Sequence, residues 1–229
     1  MTTIDSRKLT RWYDFMAPFY GAWRDDYRDP MLQHVRGILL ERPRPGRLLD
    51  AGCGTGLYAI GLSDARWHID AVDASEGMLR VARRKAAARG ATGVAFGRGD
   101  VARLPFPDAS FDVVIAAGLV PNLERPDLVF PELCRVLAPD ARLLLVEVDR
   151  AAMSRGSRLF FRAMILGYRS VSALFSRFRF ADRWDLNRST VDPTTLLAAL
   201  EGAGFSSVVL ERRHGQLLVE CRRARATAR

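Results

Sequence analysis

The sequence predicts an α/β fold built on a doubly wound, mostly parallel seven-stranded sheet with a C-terminal antiparallel hairpin. Three observations support this prediction. Short continuous apolar runs alternate with helix-like segments between residues 47 and 148, as expected of buried parallel strands covered by helices on both faces. A glycine-rich turn joins the first run to the helix after it. Two further apolar runs near the C-terminus are separated by a short turn, which is typical of a hairpin.

The parallel part of the sheet is predicted from five apolar runs, of which the third is the weakest. These runs are residues 47–51, 68–72, 94–96, 111–117 and 141–148. Helix-like composition is found between them, at residues 56–63, 75–89 and 127–137. The predicted hairpin consists of residues 206–211 and 215–221. Residues 7–41 are predicted to form two helices, the second of which follows Asp29 and Pro30.

Composition and charge narrow the functional classes. The net charge of +9 is uneven, because most of the excess of arginine over acidic residues lies after residue 150. We therefore expect a local basic patch instead of a uniformly basic surface, and we predict no nucleic-acid partner. The three cysteines have neither metal-like nor disulfide-like spacing, no apolar run is long enough to cross a bilayer, and the first residues lack a signal core. We therefore expect a reduced, cytoplasmic protein without a metal site.

The glycine-rich segment D-A-G-C-G-T-G, residues 50–56, is built to receive a ligand. No Gly-Lys-Ser/Thr follows the glycines, so it is not a Walker loop. The dinucleotide pattern also fails, because Leu57 stands where its third glycine would be. Glycines let a ligand lie directly against the backbone. The negative charge of Asp50 favours a cationic ligand over a pyrophosphate.

Four segments, in this order, resemble motifs of class I S-adenosylmethionine-dependent methyltransferases. Residues 50–56 resemble the first motif, and residues 71–79 resemble the segment whose acidic residue takes both ribose hydroxyls, here Asp73. Residues 99–114 resemble the segment in which an aspartate, here Asp100, meets the adenine amino group. The fourth segment, residues 133–147, is similar to the helix, turn and strand that usually follow.

This resemblance spans about residues 45–150 and implies a Rossmann-like fold with S-adenosyl-L-methionine as cofactor. Taken singly, the glycines are also compatible with a tight strand–helix turn, and Asp73 with a helix N-cap. The order and spacing of all four segments favour the cofactor site. The residues that the resemblance assigns to the cofactor are Tyr13, Tyr20, Asp50, Gly52, Cys53, Gly54, Gly56, Asp73, Ala74, Met78, Asp100, Val101 and Ala117.

The N-terminal segment, residues 11–23, resembles the Y-D-x-x-A-x-x-Y segment of quinone, phospholipid and small-metabolite methyltransferases. In those families this helix folds over the cofactor, which implies that Tyr13 and Tyr20 contact the cofactor or the acceptor. The alternative is that these aromatic side chains only fasten the helix to the domain.

No catalytic residue is assigned on the acceptor side, because methyl transfer requires positioning and desolvation more than a reactive side chain. The loop after the fourth strand is expected to border the acceptor. Many relatives carry a histidine pair there, whereas this chain has Pro121 and Asn122. The acceptor-side candidates are Tyr20, Asn122, Trp184 and His214.

The whole chain, residues 1–229, is predicted to form one methyltransferase domain. Its parts are an N-terminal helical cap at 1–41, a cofactor-binding core at 45–150, a helical lid insert at 151–190 and a C-terminal helix and hairpin at 191–229. The predicted function is methyl transfer to a small, lipophilic or aromatic acceptor. Phospholipid N-methylation at a membrane surface and a non-catalytic, cofactor-binding regulatory role are the alternatives.

Residues 154–180 decide between two of these functions. Residues 151–181 contain six arginines and no acidic residue, which suits peripheral contact with an anionic membrane. An apolar stripe at three- and four-residue steps instead suits an inward-facing lid. This stripe consists of Phe161, Met164, Tyr168, Val171, Phe175 and Phe178. We favour the lid, because the stripe is wide enough to be buried.

If residues 154–180 form a lid, Phe161→Ala should raise the KM for the acceptor without changing the affinity for the cofactor. Anionic phosphatidylglycerol vesicles should then not sediment the protein. The membrane alternative predicts strong co-sedimentation at low salt. That binding should be lost near about 0.5 M salt, where charges are screened within a few ångström. Charge reversal at Arg155, Arg158 and Arg162 should also weaken it.

Overall fold

A computed structural model describes residues 6–24, 27–41, 46–63, 66–123, 125–149 and 193–224. Within these ranges the helices are α1 (Ser6–Arg24), α2 (Pro30–Leu40), α3 (Leu57–Gly61), α4 (Glu76–Arg89), α5 (Pro126–Val136) and α6 (Pro193–Gly202). The strands are β1 (Gly46–Ala51), β2 (Trp67–Asp73), β3 (Val94–Arg98), β4 (Phe111–Ala117), β5 (Leu137–Val148), β6 (Phe205–Arg213) and β7 (Gln216–Arg223). The predicted lid insert, residues 151–190, lies outside the described residues.

The seven strands form one sheet in the order β3-β2-β1-β4-β5-β7-β6. All neighbours are parallel except β7, which is antiparallel to both β5 and β6. This confirms the doubly wound sheet and its C-terminal hairpin. The chain builds outward from β1 to β3 and then returns to the other side of β1, so the switch point lies between β1 and β4. Ligands of such sheets bind at the carboxyl ends of the strands next to the switch point.

Strand β4 shows why the sheet is buried on both faces. Its successive side chains point to opposite faces, as in any strand. Val113 and Ile115 pack in the hydrophobic cluster that contains α2, whereas Val114 and Ala116 pack in the cluster that contains α5. All four side chains have no exposed surface. A continuous apolar run is therefore required, which is the pattern that predicted the strand.

Helix α2 begins where the sequence indicated. Asp29 is its N-cap, and the carboxylate accepts hydrogen bonds from the amides of Met31 and Leu32 at 2.9 and 3.0 Å. Pro30 occupies the first helical position, where its missing N–H costs no hydrogen bond. The helix buries Met31, Leu32, Val35 and Leu39 against the sheet.

Strand β5 begins earlier than predicted, at Leu137 instead of residue 141. Leu137 pairs with Phe111 of β4, and the register then shifts between Phe111 and Val113 before Arg142 pairs with Val113. The intervening Ala-Pro-Asp stretch resembles a turn in sequence. Only the pairing with β4, which is distant in sequence, identifies it as part of the strand.

The segment between β3 and β4 is fastened by one arginine of α5. Arg135 donates hydrogen bonds to the carbonyl oxygens of Leu104 and Phe106 and to the carboxylates of Asp108 and Glu132. Glu132 in turn accepts the amide of Leu104 at 2.7 Å, and its hydrogen bond with Arg135 lowers its pKa. This network fixes the segment that follows Asp100.

Candidate functional site

A cavity of about 330 Å³ opens at the carboxyl ends of β1, β2 and β4, beside the switch point. The loop after β1, the start of α4, the segment after β3 and helix α1 complete its wall. The predicted residues that it brings together are Tyr13, Tyr20, Asp50, Gly52, Cys53, Gly54, Asp73, Ala74, Met78, Asp100, Val101, Ala117 and Asn122.

The three glycines of the loop after β1 have different structural roles. A Cβ on Gly52 would lie 2.8 Å from Cδ1 of Leu119, and one on Gly56 would lie 2.9 Å from Cδ1 of Ile60. A Cβ on Gly54 would meet no heavy atom within 4 Å. Only Gly54 therefore leaves open space for a ligand. Gly56, predicted to contact the cofactor, does not line the cavity, and its missing side chain leaves room for Ile60 of α3.

Asp73 ends β2 and holds two neighbouring segments together. Its Oδ2 accepts the amide of Gly54 at 2.8 Å, and its Oδ1 accepts the amide of Ser75 at 2.8 Å. Burial raises the pKa of this carboxyl, and the two amides partly offset the shift. The helix N-cap is Ser75, whose hydroxyl accepts the amide of Met78, so Asp73 does not cap α4 itself. Each carboxylate oxygen keeps a second lone pair for a ligand.

Asp50 lies beneath the glycine loop at the end of β1, with 2% of its surface exposed. Its Oδ2 accepts the amide of Ala59 in α3 at 2.9 Å. Burial raises the pKa of Asp50 from 3.8 to about 7; the Ala59 amide opposes this shift and the nearby Asp73 adds to it. A cation bound in the cavity would favour the ionised form.

Asp100 follows β3 and lies on the rim of the cavity. Its Oδ1 accepts the amide of Ala102 at 2.9 Å, and its carbonyl accepts the amide of Arg103 at 2.9 Å. These bonds shape a turn that leaves the carboxylate exposed. The network around Arg135 anchors the chain beyond this turn.

Helix α1 packs on α4 and contributes Leu9, Tyr13 and Tyr20 to the cavity wall. The rings of Tyr13 and Tyr20 meet edge to face at a centroid distance of 6.0 Å. The Tyr13 hydroxyl donates to Oδ1 of Asn122 at 3.0 Å, and Nδ2 of Asn122 donates to the carbonyl of Gly118 at 2.8 Å. Two acceptor-side candidates, Tyr20 and Asn122, thus lie in the same wall.

Only one of the other two acceptor-side candidates, His214, is among the described residues. His214 occupies the β6–β7 turn, as predicted, but it is exposed and does not line the cavity. Its turn lies at the carboxyl end of β5, where Gln216 pairs with Val148. Trp184 lies outside the described residues.

Two carboxylates with structural roles at this site were not predicted from the sequence. Glu147, which is 3% exposed, accepts the amide of Val120 at 2.9 Å and so fixes the short 3-10 helix that carries Asn122. Asp14 accepts hydrogen bonds from the first turn of α4. A glutamate within an apolar strand was the available signal for Glu147. Asp14 belongs to the N-terminal motif, but nothing local to it indicates a partner in α4.

Carboxylates and hydroxyls dominate the chemistry of the described cavity wall. This part of the wall contains no histidine, lysine or glutamate. Burial raises the pKa of the Cys53 thiol, which therefore stays protonated and is a poor nucleophile. In the regions that the structure covers, no group of residues suits a metal ion and no helix is long and apolar enough to cross a membrane.

Comparison with known proteins places residues 49–145 in a family described as a methyltransferase domain. A demethylmenaquinone methyltransferase from Clavibacter sepedonicus is 34% identical over 166 residues, which cover 71% of this chain and 66% of that protein. A demethylmenaquinone methyltransferase from Thermus thermophilus is 35% identical over 169 residues, covering 71% of this chain and 75% of that protein.

A solved structure has a similar fold. The crystal structure of the [4+2]-cyclase SpnF superposes with a TM-score of 0.71 at 21% identity, covering 98% of each chain. At this level of identity the comparison establishes the fold alone.

The raised pKa of Asp50 predicts how stability changes with pH. Between about pH 4 and pH 7 the folded protein keeps a proton on Asp50 that the unfolded chain has released, so this group's contribution to stability falls as the pH rises. Asparagine does not titrate and keeps an oxygen for the Ala59 amide. When the pH is raised from 5 to 8 without ligand, the unfolding free energy of Asp50→Asn should rise by about 2–3 kcal/mol relative to that of the unsubstituted protein.

Urea denaturation of both proteins at both pH values measures this difference. The contributions of Asp73 and other carboxyls are common to the two proteins and cancel to first order. A difference that stays constant with pH would show that Asp50 is ionised throughout this range.

Proposed function

The chain belongs to the class I S-adenosylmethionine-dependent methyltransferases, and we propose that it methylates a small, lipophilic or aromatic acceptor. The family makes it an enzyme whose cofactor is S-adenosylmethionine. One observation carries the proposal for the acceptor. The cavity that contains the carboxylates of Asp50 and Asp73 is also lined by the apolar and aromatic side chains of Leu9 and Tyr20 in α1 and of Leu119 after β4. The relatives named above carry quinone-type acceptors in their names, which agrees with such a wall.

The residues of the cavity suit the cofactor. Gly54 leaves open space against the backbone, where a ligand can lie without meeting a Cβ. Asp73 has free lone pairs on two adjacent oxygens, the arrangement that accepts a pair of ribose hydroxyls. Asp100 carries an exposed carboxylate on the rim for the adenine amino group. Asp50 supplies negative potential for a ligand that carries a sulfonium and an ammonium group.

The chemistry requires little of the protein beyond placement. When bound, S-adenosylmethionine supplies a methyl group that its sulfonium already activates toward displacement. We infer that the chain acts chiefly by orienting the acceptor and excluding water. Helix α1 closes the wall through the hydrogen bond from Tyr13 to Asn122. The hydroxyl proton of Tyr13 is donated to Asn122, so Tyr13 joins α1 to the segment after β4.

We assign no general base. We propose that Tyr13, Tyr20 and Asn122 orient the acceptor. An aromatic hydroxyl acceptor needs less help from a base, because aromatic hydroxyls lose protons to water more readily than aliphatic ones do. A cytoplasmic location and the membrane contact of residues 154–180 stay predictions from the sequence.

A methyl-transfer assay tests the proposal directly. The purified protein should transfer a labelled methyl group from S-adenosylmethionine to a reduced, demethylated naphthoquinone or to another phenolic molecule, with mass spectrometry identifying the product. Phosphatidylethanolamine vesicles serve as the competing acceptor. Transfer only to the lipid would favour the phospholipid alternative. Cofactor binding without transfer to any acceptor would favour a non-catalytic role.

The glycine loop yields a matched pair of substitutions. Gly54 and Gly90 both have left-handed backbones, with φ of +54° and +63°, and neither has a heavy atom within 4 Å of an added Cβ. Alanine at either position should therefore cost a similar amount of stability, about 1–2 kcal/mol. Gly54→Ala should also weaken S-adenosylhomocysteine binding about tenfold or more, because the methyl group occupies ligand space.

Gly90→Ala should leave that affinity unchanged, because Gly90 ends α4 away from the cavity. Isothermal titration gives both dissociation constants. Equal affinities for the two variants would show that the cofactor does not lie against Gly54.

A further inference from the structure

Helix α1 is held against the N-terminal end of α4, which forms one wall of the cavity, by the carboxylate of Asp14. Oδ1 of Asp14 accepts the hydroxyl of Ser75 at 2.7 Å and the amide of Gly77 at 2.8 Å. Ser75 is 1% exposed, so this contact is shielded from water. Both partners lie at the N-terminal end of α4, Ser75 as its N-cap and Gly77 in its first turn, shortly after Asp73. The contact therefore joins α1 to the cofactor side of the site.

Ser75 donates one hydrogen to each of two carboxylates. Its amide donates to Asp73, and its hydroxyl donates to Asp14 while accepting the amide of Met78 at 3.1 Å. A serine hydroxyl has only one proton, so its bond to Asp14 has a fixed direction. The two carboxylates are close enough for the charge of Asp14 to contribute to the raised pKa of Asp73. Ser75 bridges the two carboxylates, and its hydrogen bonds to both offset this repulsion.

Gly77 allows the backbone of α1 to reach this position. A Cβ on Gly77 would lie 2.7 Å from both the Cα and the carbonyl oxygen of Asp14, a separation that side chains do not adopt. The two helices therefore touch backbone to backbone at Asp14. Any larger residue at position 77 would displace α1.

The neighbouring residue of α1 reaches the opposite wall. Tyr13 donates to Asn122 after β4, whereas Asp14 accepts from Ser75 and Gly77 after β2. Two consecutive residues thus connect the two walls of the cavity. The position of α1 depends on both walls at once.

We propose that Asp14 is a positioning residue that, through Ser75, couples the placement of α1 to the binding of the ribose at Asp73. The inference rests on the proposed function, since it takes Asp73 as the ribose ligand. Ribose hydroxyls that donate to Asp73 spread its charge and weaken its repulsion of Asp14. Ligand binding therefore strengthens the docking of α1, and by reciprocity the docking of α1 strengthens ligand binding by the same factor.

Substitutions at position 14 separate the hydrogen bond from the charge. Asp14→Ala removes the acceptor and should weaken S-adenosylhomocysteine binding at least about fivefold, the lower end of typical coupling between sites. Asp14→Asn keeps an acceptor oxygen for docking α1 but removes the charge, so it should restore most of the affinity while the ligand adds less protection to α1 than in the unsubstituted protein. Glu76→Ala is the control, because Glu76 lies in the same turn of α4 and forms an exposed ion pair with Arg83. It should bind normally.

Hydrogen–deuterium exchange supplies a readout that a purely structural role would not change. In the unsubstituted protein, S-adenosylhomocysteine should slow the exchange of α1 amides. In Asp14→Ala the ligand, at saturating concentration, should protect the glycine loop but no longer α1. Loss of protection in both segments would indicate general unfolding and would overturn the coupling.

Gly77→Ala provides a second variant that does not weaken α4. Alanine favours a helix more than glycine does, so α4 should be at least as stable while α1 is displaced. This variant should also bind S-adenosylhomocysteine more weakly and lose the ligand-dependent protection of α1. Unchanged affinity in Asp14→Ala and Gly77→Ala would overturn the coupling alone. Failure of the unsubstituted protein to bind S-adenosylhomocysteine would overturn the cofactor assignment and the coupling with it.

Discussion

The pair of amide hydrogen bonds accepted by Asp73 is the interaction on which the site depends. One amide comes from Gly54 after β1 and the other from Ser75 before α4, so a single carboxylate fixes two connections that are distant in sequence. The left-handed backbone at Gly54 turns its amide toward Asp73 and leaves the opposite side open. Parallel pairing of β1 with β2 places these groups at one edge of the sheet. Strand order thus determines which side chains meet.

The site places like charges close together at a cost to the free protein. Asp50 and Asp73 adjoin the glycine loop, Asp14 lies close to Asp73, and burial raises the pKa of Asp50 and Asp73. A backbone amide or a hydroxyl donates to each of these carboxylates. Such donors stabilise negative charge but do not neutralise it. A ligand with cationic groups and hydroxyls completes the compensation, which is consistent with the general tendency of binding sites to sacrifice stability for function.

Local patterns in the sequence predicted most of the strands and helices and many of the residues that line the cavity. Strands were predicted because buried strands need continuous apolar runs, and Asp73 because residues 71–79 resemble a methyltransferase motif. Three features were not predicted: the packing of Gly56 against Ile60, the hydrogen bonds of Asp14, and the early start of β5 at Leu137. The role of Asp14 and the start of β5 depend on contacts between residues far apart in the chain, which no local pattern records, whereas Gly56 faces Ile60 of the next helix. The exposure of His214 likewise follows from the direction of its turn and not from its residue type.

The position of β7 between β5 and β6 has a consequence for synthesis. Strand β5 ends at Val148, but its antiparallel partner begins only at Gln216. At about 5–20 residues per second, the ribosome needs several seconds to add the chain between them. During that interval the edge of β5 is unpaired and its apolar side chains are accessible to other nascent chains. The cofactor half of the sheet can assemble first, so chaperone dependence should concentrate on this late edge.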